Sequence, residues 1–271
     1  MTANRPVALV TGASSGIGKA AALALAAAGF HVVGTSRNSS RVTPGNGVTY
    51  LDLDVTNDES VNAVVKHVID RFGRIDVLIN NAGVGAAGAA EESSVAQAQS
   101  VFDVNVFGPI RMTKAILPHM RAQGRGRIIN ISSVLGLVPQ PYMAVYVASK
   151  HAIEGYSESV DHEVREYGVR VVLVEPGPTS TTFDAAMVRP DVLIPAYARQ
   201  RETFAEVMAD STNNGDDPAT VAKIIVAAVT DAKPRLRYPA GVTASRVSAL
   251  RRFVPARVFD KQIRKINRFA G

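Results

Sequence analysis

The chain has 271 residues, a formal charge of +6, 46% hydrophobic residues and no cysteine. That length fits one large α/β domain or two small ones with a substantial core, and the missing cysteines exclude disulfides, thiolate metal sites and a cysteine nucleophile. From Ala232 onward eleven Lys or Arg stand against one acid, Asp260, while the preceding 231 residues carry 19 basic and 23 acidic groups, which argues against a protein-wide nucleic-acid surface.

The N-terminus enters a patterned segment almost at once, so no signal peptide is expected. No apolar run reaches the roughly 18 residues of a membrane span, and a cytoplasmic setting is the natural expectation. "VALVTGA" reads as a strand running into a glycine turn, and "IGKAAALALAAAG" as a helix closed by Gly29. "HVVGTS" and "VTYLDLDVT" are the next two strands, and "DESVNAVVKHVIDRFG" is an amphipathic helix from Asp58 to Gly73. "IDVLINNAG" is a strand ending in a polar loop, followed by one long helix from about Val95 to Gln123. "RIINISS", the helix "AVYVASKHAIEGYSESVDHEVREYG" and the strand "VRVVLVEPG" come next. Residues 178–216 read as a loop-and-helix excursion, a substrate lid, before the helix "DPATVAKIIVAAVTDA" and the short strand "RLRYP". Apolar strands alternating with helices imply a mostly parallel sheet buried on both faces. One domain spanning residues 1–271 is the simplest account, with ligands expected outside the carboxyl ends of the strands.

Five short motifs lie in register on this frame. "TGASSGIG", residues 11–18, joins the first strand to the first helix. There Gly12 permits a tight turn, Gly16 allows close backbone approach to a pyrophosphate, and Gly18 packs helix on strand, with Ser14, Ser15 and Ile17 between them. "NNAG" at 80–83 follows the fourth strand, and Asn105 lies in the long helix after it. "NISS" ends at Ser133, thirteen residues before Tyr146, and "PG" at 176 and 177 closes the sixth strand. "YVASK" sets Tyr146 four residues ahead of Lys150, so both side chains share a helix face. Alone, that pair could be an exposed contact worth a few tenths of a kcal/mol. The five histidines, His31, His67, His119, His151 and His162, stand apart with no ligand-like pairing, and no metal site is expected.

Taken together, TGxxxGxG, NNAG, Asn105, the serine at 133, YxxxK and PG resemble the short-chain dehydrogenase/reductase family from about Val7 to Phe183, and more loosely to the C-terminus. The stretch from Val145 to Phe183 is most similar to steroid-, retinol- and carbonyl-reducing members. The resemblance implies a Rossmann-like, doubly wound sheet of about seven strands with helices on both faces. It also implies an oxidoreductase exchanging hydride between a nicotinamide cofactor and a ketone or aldehyde. A free tyrosine titrates near 10, and a cation one turn away favours the phenolate. The resemblance makes Tyr146 the general acid/base, Lys150 its modulator and a ligand of the nicotinamide ribose, Ser133 the carbonyl partner, and Asn105 the holder of a relay water. Ser132 is the register alternative to Ser133, and His151 is expected to be structural.

For the cofactor, Ser36 stands at the end of the second strand where NAD-binding sheets usually carry an acid, and Arg37 follows. Arginine suits a 2′-phosphate, so NADP(H) is expected over NAD(H). The resemblance places Asp54 and Val55 at the adenine, with Asp52 as runner-up. It places Asn81, Ala82 and Gly83 on the adenosine ribose side, and Pro176, Gly177, Thr179 and Thr181 at the carboxamide. Leu135, Val138, Pro139, Met143 and Val145 are either an apolar pocket for a lipophilic substrate or packing residues. The basic segment from about 243 to 271 reads as a helical tail packed on the domain, with membrane contact the alternative. Family members commonly form dimers or tetramers through the helices holding Asn105 and Tyr146, and a homo-oligomer is expected. A non-catalytic dinucleotide sensor or scaffold is the rival reading.

Overall fold

A computed structural model describes residues 5–43, 46–183 and 187–269; residues 184–186 of the expected lid and the last two of the tail lie outside this set. Seven strands, β1 (Val7–Val10), β2 (His31–Ser36), β3 (Val48–Asp52), β4 (Val77–Asn80), β5 (Gly126–Ile131), β6 (Val169–Pro176) and β7 (Arg237–Ala240), form one sheet. Its order is β3-β2-β1-β4-β5-β6-β7, and every neighbouring pair is parallel. The order in which successive strands are added reverses between β1 and β4, which opens a crevice at their carboxyl ends.

Strand alternation sorts the core into two halves. Ala8 and Val10 face α1 (Gly16–Ala27) and α7 (Pro218–Thr230), packing with Leu25, Val221 and Ile225. Val7 and Leu9 face the other side, against α2 (Asp58–Phe72), α4 (Gly108–Gln123) and α5 (Ala144–Val164), through Val64, Ile116 and Val160. Each fully buried Leu or Ile in these layers contributes about 1.5–3 kcal/mol. Local chemistry sets the helix ends: the Asn57 side chain accepts from Ser60 N at the start of α2, and Gly73 closes it at φ 72°.

The expected single helix from Val95 to Gln123 is interrupted. It consists of α3 (Val95–Phe102), a π turn over Asp103–Phe107, and α4. Pro109 has no N–H to return to the Asn105 carbonyl, so regular α-helical bonding cannot continue through this point. The excursion carries α6 (Ala198–Asn213), and the tail forms two helices, α8 (Val242–Phe253) and α9 (Ala256–Ile266), separated at Pro255.

The tail is docked on the body. Ala244 is fully buried, Arg251 donates to the Leu137 carbonyl at 3.1 Å, and Arg268 pairs with Glu206 on α6 at 2.9 Å. Val242, Leu250, Phe253, Val258 and Ile266 remain exposed. Among the described residues no helix is long and apolar enough to cross a membrane.

Candidate active site

The carboxyl ends of β1, β4, β5 and β6 surround a cavity of about 570 Å³. Its floor is the glycine turn. Gly12 lies at φ 64° and Gly16 at φ 53°, conformations that favour glycine. A Cβ on Gly18 would come within 2.3 Å of both Asn81 Nδ2 and the Gly12 carbonyl, so the close helix–strand approach requires glycine there. The Ser15 side chain makes no capping bond and α1 has no acid in its first turn, leaving its N-terminal N–H groups and positive dipole end facing the cavity. These features fit a bound pyrophosphate.

Asn81 braces the turn. Its Nδ2 donates to the Thr11 and Gly12 carbonyls at 2.9 and 3.0 Å, while Thr11 Oγ1 accepts from Asn81 N and Ala82 N at 3.0 Å each. Both of its amide N–H groups serve the protein, although the residue also lines the cavity.

At the β2 end, Ser36 and Arg37 line the cavity with no acid beside them on that strand. Arg37 is exposed, and its guanidinium has no protein hydrogen bond among the described residues. Asp54 also lines the cavity and accepts from Thr56 N and Oγ1 at 2.9 and 2.7 Å. Those bonds hold its carboxyl below the usual range, with Arg37 and Arg111 adding to the effect. Asp52 does not line the cavity; it holds the following loop by accepting from Ser39 N at 2.6 Å.

Part of the cavity wall comes from α5. Tyr146 and Lys150 are 7% and 8% exposed, and both line the cavity. Lys150 Nζ lies 5.6 Å from the Tyr146 ring centroid and donates to the Ile131 carbonyl at 2.9 Å. Burial pushes Lys150 down to about 8, opposed by the neighbouring Glu154 carboxylate. Ser133 Oγ accepts from Leu135 N at 3.1 Å, so its own proton can be donated elsewhere. Thr179 and Thr181 line the opposite wall with Pro176 and Gly177.

Of the residues assigned first to catalysis or to the cofactor from the sequence, all line this cavity except Asn105. Asn105 lies behind it, 2% exposed. Its Nδ2 donates to the Val84 carbonyl at 2.8 Å and to Ser149 Oγ at 3.1 Å, and its Oδ1 accepts from Val84 N at 2.9 Å. The side chain thus ties the loop after β4 to α5, with no N–H left for a water. A second buried link, Asn80 to Asn130 to Ser157 at 2.8 Å each, anchors α5 to β4 and β5.

Leu135 and Met143 line the cavity, whereas Val138, Pro139 and Val145 do not. Val145 directly precedes Tyr146, and adjacent helical residues point about 100° apart. His151 is exposed and its Nδ1 lies 3.0 Å from the Val147 carbonyl. Sequence reasoning missed Gln140, Phe183, Met187, Met208 and Thr212, all of which line the cavity. Met208 and Thr212 have i,i+4 spacing on α6, but nothing local says where that helix lies. Glu92 decides it: buried, it accepts from Ile194 N at 2.8 Å and pairs with Arg201 on α6.

Residues 6–191 match the model of the short chain dehydrogenase family. A 3-ketodihydrosphingosine reductase of Bacteroides thetaiotaomicron is 47% identical over 175 residues, covering 65% of this chain and 64% of that protein, just under two thirds of its length. Bovine retinol dehydrogenase 8 is 35% identical over 92% of this chain and 85% of its own. A short-chain dehydrogenase from Streptomyces avermitilis superposes with a TM-score of 0.83, at 36% identity over 97% of each chain. Two further solved neighbours were determined with cofactor. A Burkholderia phymatum enzyme holds NAD (TM-score 0.81, 29% identity, 95% of each chain), and a metagenomic oxidoreductase holds NADP (TM-score 0.69, 30% identity, 86% of this chain and 95% of that one). The chain therefore belongs to the short-chain dehydrogenase family, oxidoreductases that act on CH–OH and carbonyl groups.

Proposed function

We propose that the protein is an NADP(H)-dependent oxidoreductase interconverting a lipophilic ketone or aldehyde and its alcohol, with Tyr146 as general acid/base. The observation that carries this reading is the convergence of buried Tyr146 and Lys150 on the same cavity as the glycine turn. A 3-keto reductase and a retinol dehydrogenase among the relatives point to the same chemistry.

The glycine turn would hold the pyrophosphate, Arg37 and Ser36 the 2′-phosphate, Asp54 and Val55 the adenine, and Asn81, Ala82 and Gly83 the adenosine ribose. Pro176, Gly177, Thr179 and Thr181 would hold the carboxamide. When bound, the nicotinamide supplies or accepts the hydride. In reduction, Tyr146 donates its phenolic proton to the substrate oxygen, and in oxidation it takes that proton back. Ser133 donates a hydrogen bond to the same oxygen as charge develops there. Lys150 spends one N–H on Ile131, leaving two for the ribose hydroxyls and the Tyr146 side. Asn105 acts as a positioning residue through Val84 and Ser149. Its main-chain carbonyl, which Pro109 cannot cap, is the acceptor for the relay water. Phe183, whose ring centroid is 5.8 Å from that of Tyr146, together with Met143 and Met187 excludes bulk water. A cytoplasmic setting and assembly as a homodimer or homotetramer belong to this reading on the strength of the family resemblance.

The test is NADPH consumption against a panel of ketones and aldehydes, with Tyr146→Phe alongside. Turnover by the wild type should fall about 10²- to 10⁴-fold in the variant, while NADPH binding persists. Full activity of Tyr146→Phe would remove the mechanism, and tight NADPH binding with no turnover would favour a dinucleotide sensor.

A further inference from the structure

The C-terminal segment closes on the cavity through a chain of amides whose directions are determined. The Ile263 carbonyl can only accept, so its 2.9 Å bond to Asn267 must be donated by Nδ2. That bond orients the Asn267 amide, which is 4% exposed, and leaves Oδ1 as the acceptor for Gln140 Nε2 at 2.6 Å. The Gln140 amide is thereby oriented in turn. Gln140 lines the cavity together with Met143, Tyr146 and Phe183, and among the described residues its Oε1 receives no protein hydrogen bond.

The surroundings hold this loop in place. Tyr142 adopts φ 63°, a left-handed conformation uncommon for a residue with a side chain. Its ring packs against Phe204 of α6 and Phe269 of the tail, with centroids 5.7 and 6.3 Å away. Arg268 pairs with Glu206 and Asp210 of the same helix at 2.9 and 3.5 Å. Tail, lid helix and loop thus brace one another around Gln140 in the cavity wall.

We propose that Gln140 is a specificity residue whose Oε1 accepts a hydrogen bond from a hydroxyl carried by an otherwise apolar substrate, and that Asn267 is the positioning residue that keeps this oxygen available. The proposal rests on the carbonyl/alcohol reading and names the substrate class within it: ketones or aldehydes bearing a second, hydrogen-donating group. An acceptor aimed at a donor discriminates a hydroxyl from its methyl ether, because the ether has no proton to give. A purely structural glutamine would not discriminate them.

The test is isothermal titration of the NADP(H)-loaded protein with nonan-2-one, its monohydroxy isomers and their methyl ethers. At least one hydroxyketone should bind about 5- to 10-fold more tightly than nonan-2-one, and its methyl ether should not. Gln140→Leu should bring the hydroxyl-to-ether ratio to about one. Asn267→Leu should lose the same discrimination, whereas Asn267→Asp, which still presents only an acceptor to Gln140 Nε2, should keep it. No gain from any hydroxyl, an ether binding as tightly as its alcohol, or discrimination surviving in Gln140→Leu would each overturn the assignment. Turnover is read separately on the same compounds, so failure of the oxidoreductase reading shows as absent reduction, while the binding ratio still judges Gln140.

Discussion

Lys150 Nζ donates to the Ile131 carbonyl at 2.9 Å, a bond from the N-terminal part of α5 to the last residue of β5. It fixes the ammonium beneath the Tyr146 ring and satisfies one N–H of a cation that is otherwise almost entirely removed from water. The remaining desolvation lowers Lys150 to about 8, against 10.5 for the free side chain.

This has a measurable consequence for the cofactor-free protein. Between about pH 8 and 10.5 the unfolded chain holds the Lys150 proton while the folded chain has released it, so stability contributed by this site rises with pH across that window. Below pH 8 the folded state bears the full cost of the buried charge, roughly 3 kcal/mol. Lys150→Met should therefore differ from wild type most below pH 8, and the pH slope of wild-type stability between 8 and 10.5 should be absent in the variant. Urea denaturation at a series of pH values checks this; parallel curves for the two proteins would contradict it.

Arg37 offers a guanidinium with no protein hydrogen bond among the described residues, at the end of a strand that lacks an acid. Arg37→Asp should weaken NADPH binding by about 10- to 100-fold, through loss of charged hydrogen bonds and repulsion of the 2′-phosphate, and should leave NADH binding unchanged or improved. Dissociation constants for both cofactors measure it. An unaltered NADPH to NADH ratio would remove Arg37 from the cofactor site.

Behind the site, Glu175 is completely buried and among the described residues neither of its carboxyl oxygens receives a hydrogen bond; Arg237 Nε approaches one at 3.4 Å. Burial, with repulsion from Glu154, pushes Glu175 up to about 8, and Arg237 only partly offsets this. Between pH 4.5 and about 8 the folded state holds a proton that the unfolded chain has lost, so stability falls as pH rises through this window, by on the order of 5 kcal/mol at most. Glu175→Gln keeps the shape and removes the titration. Its Tm should fall less than that of wild type between pH 5 and 8, as read by calorimetry, and identical slopes would show that the carboxyl stays ionised.

Much of the frame was legible in the sequence because it rests on local chemistry. Asn57 and Gly73 bound α2, and alternation along β1 sends Val7 and Leu9 to one layer and Ala8 and Val10 to the other. The long helix was misread because its period is helical throughout, and only the missing Pro109 N–H marks the π turn. Asn105 was found as a position, but its contacts were not. Which atoms an amide spends on Val84 and Ser149 depends on residues 21 and 44 positions away.

The sequence by itself determined the parallel α/β sheet and the glycine turn, and it marked Tyr146, Lys150 and Ser133 as residues that would share one cavity, since these depend on short spacings and on strand ends that a doubly wound sheet brings to one edge. Tertiary structure alone decided which of the more distant side chains form the cavity wall. Gln140 meets Asn267 across 127 residues, and Met208 reaches the cavity because Glu92 anchors α6. Such contacts are selected by packing and by the need to pair buried polar groups, and no periodicity along the chain encodes them.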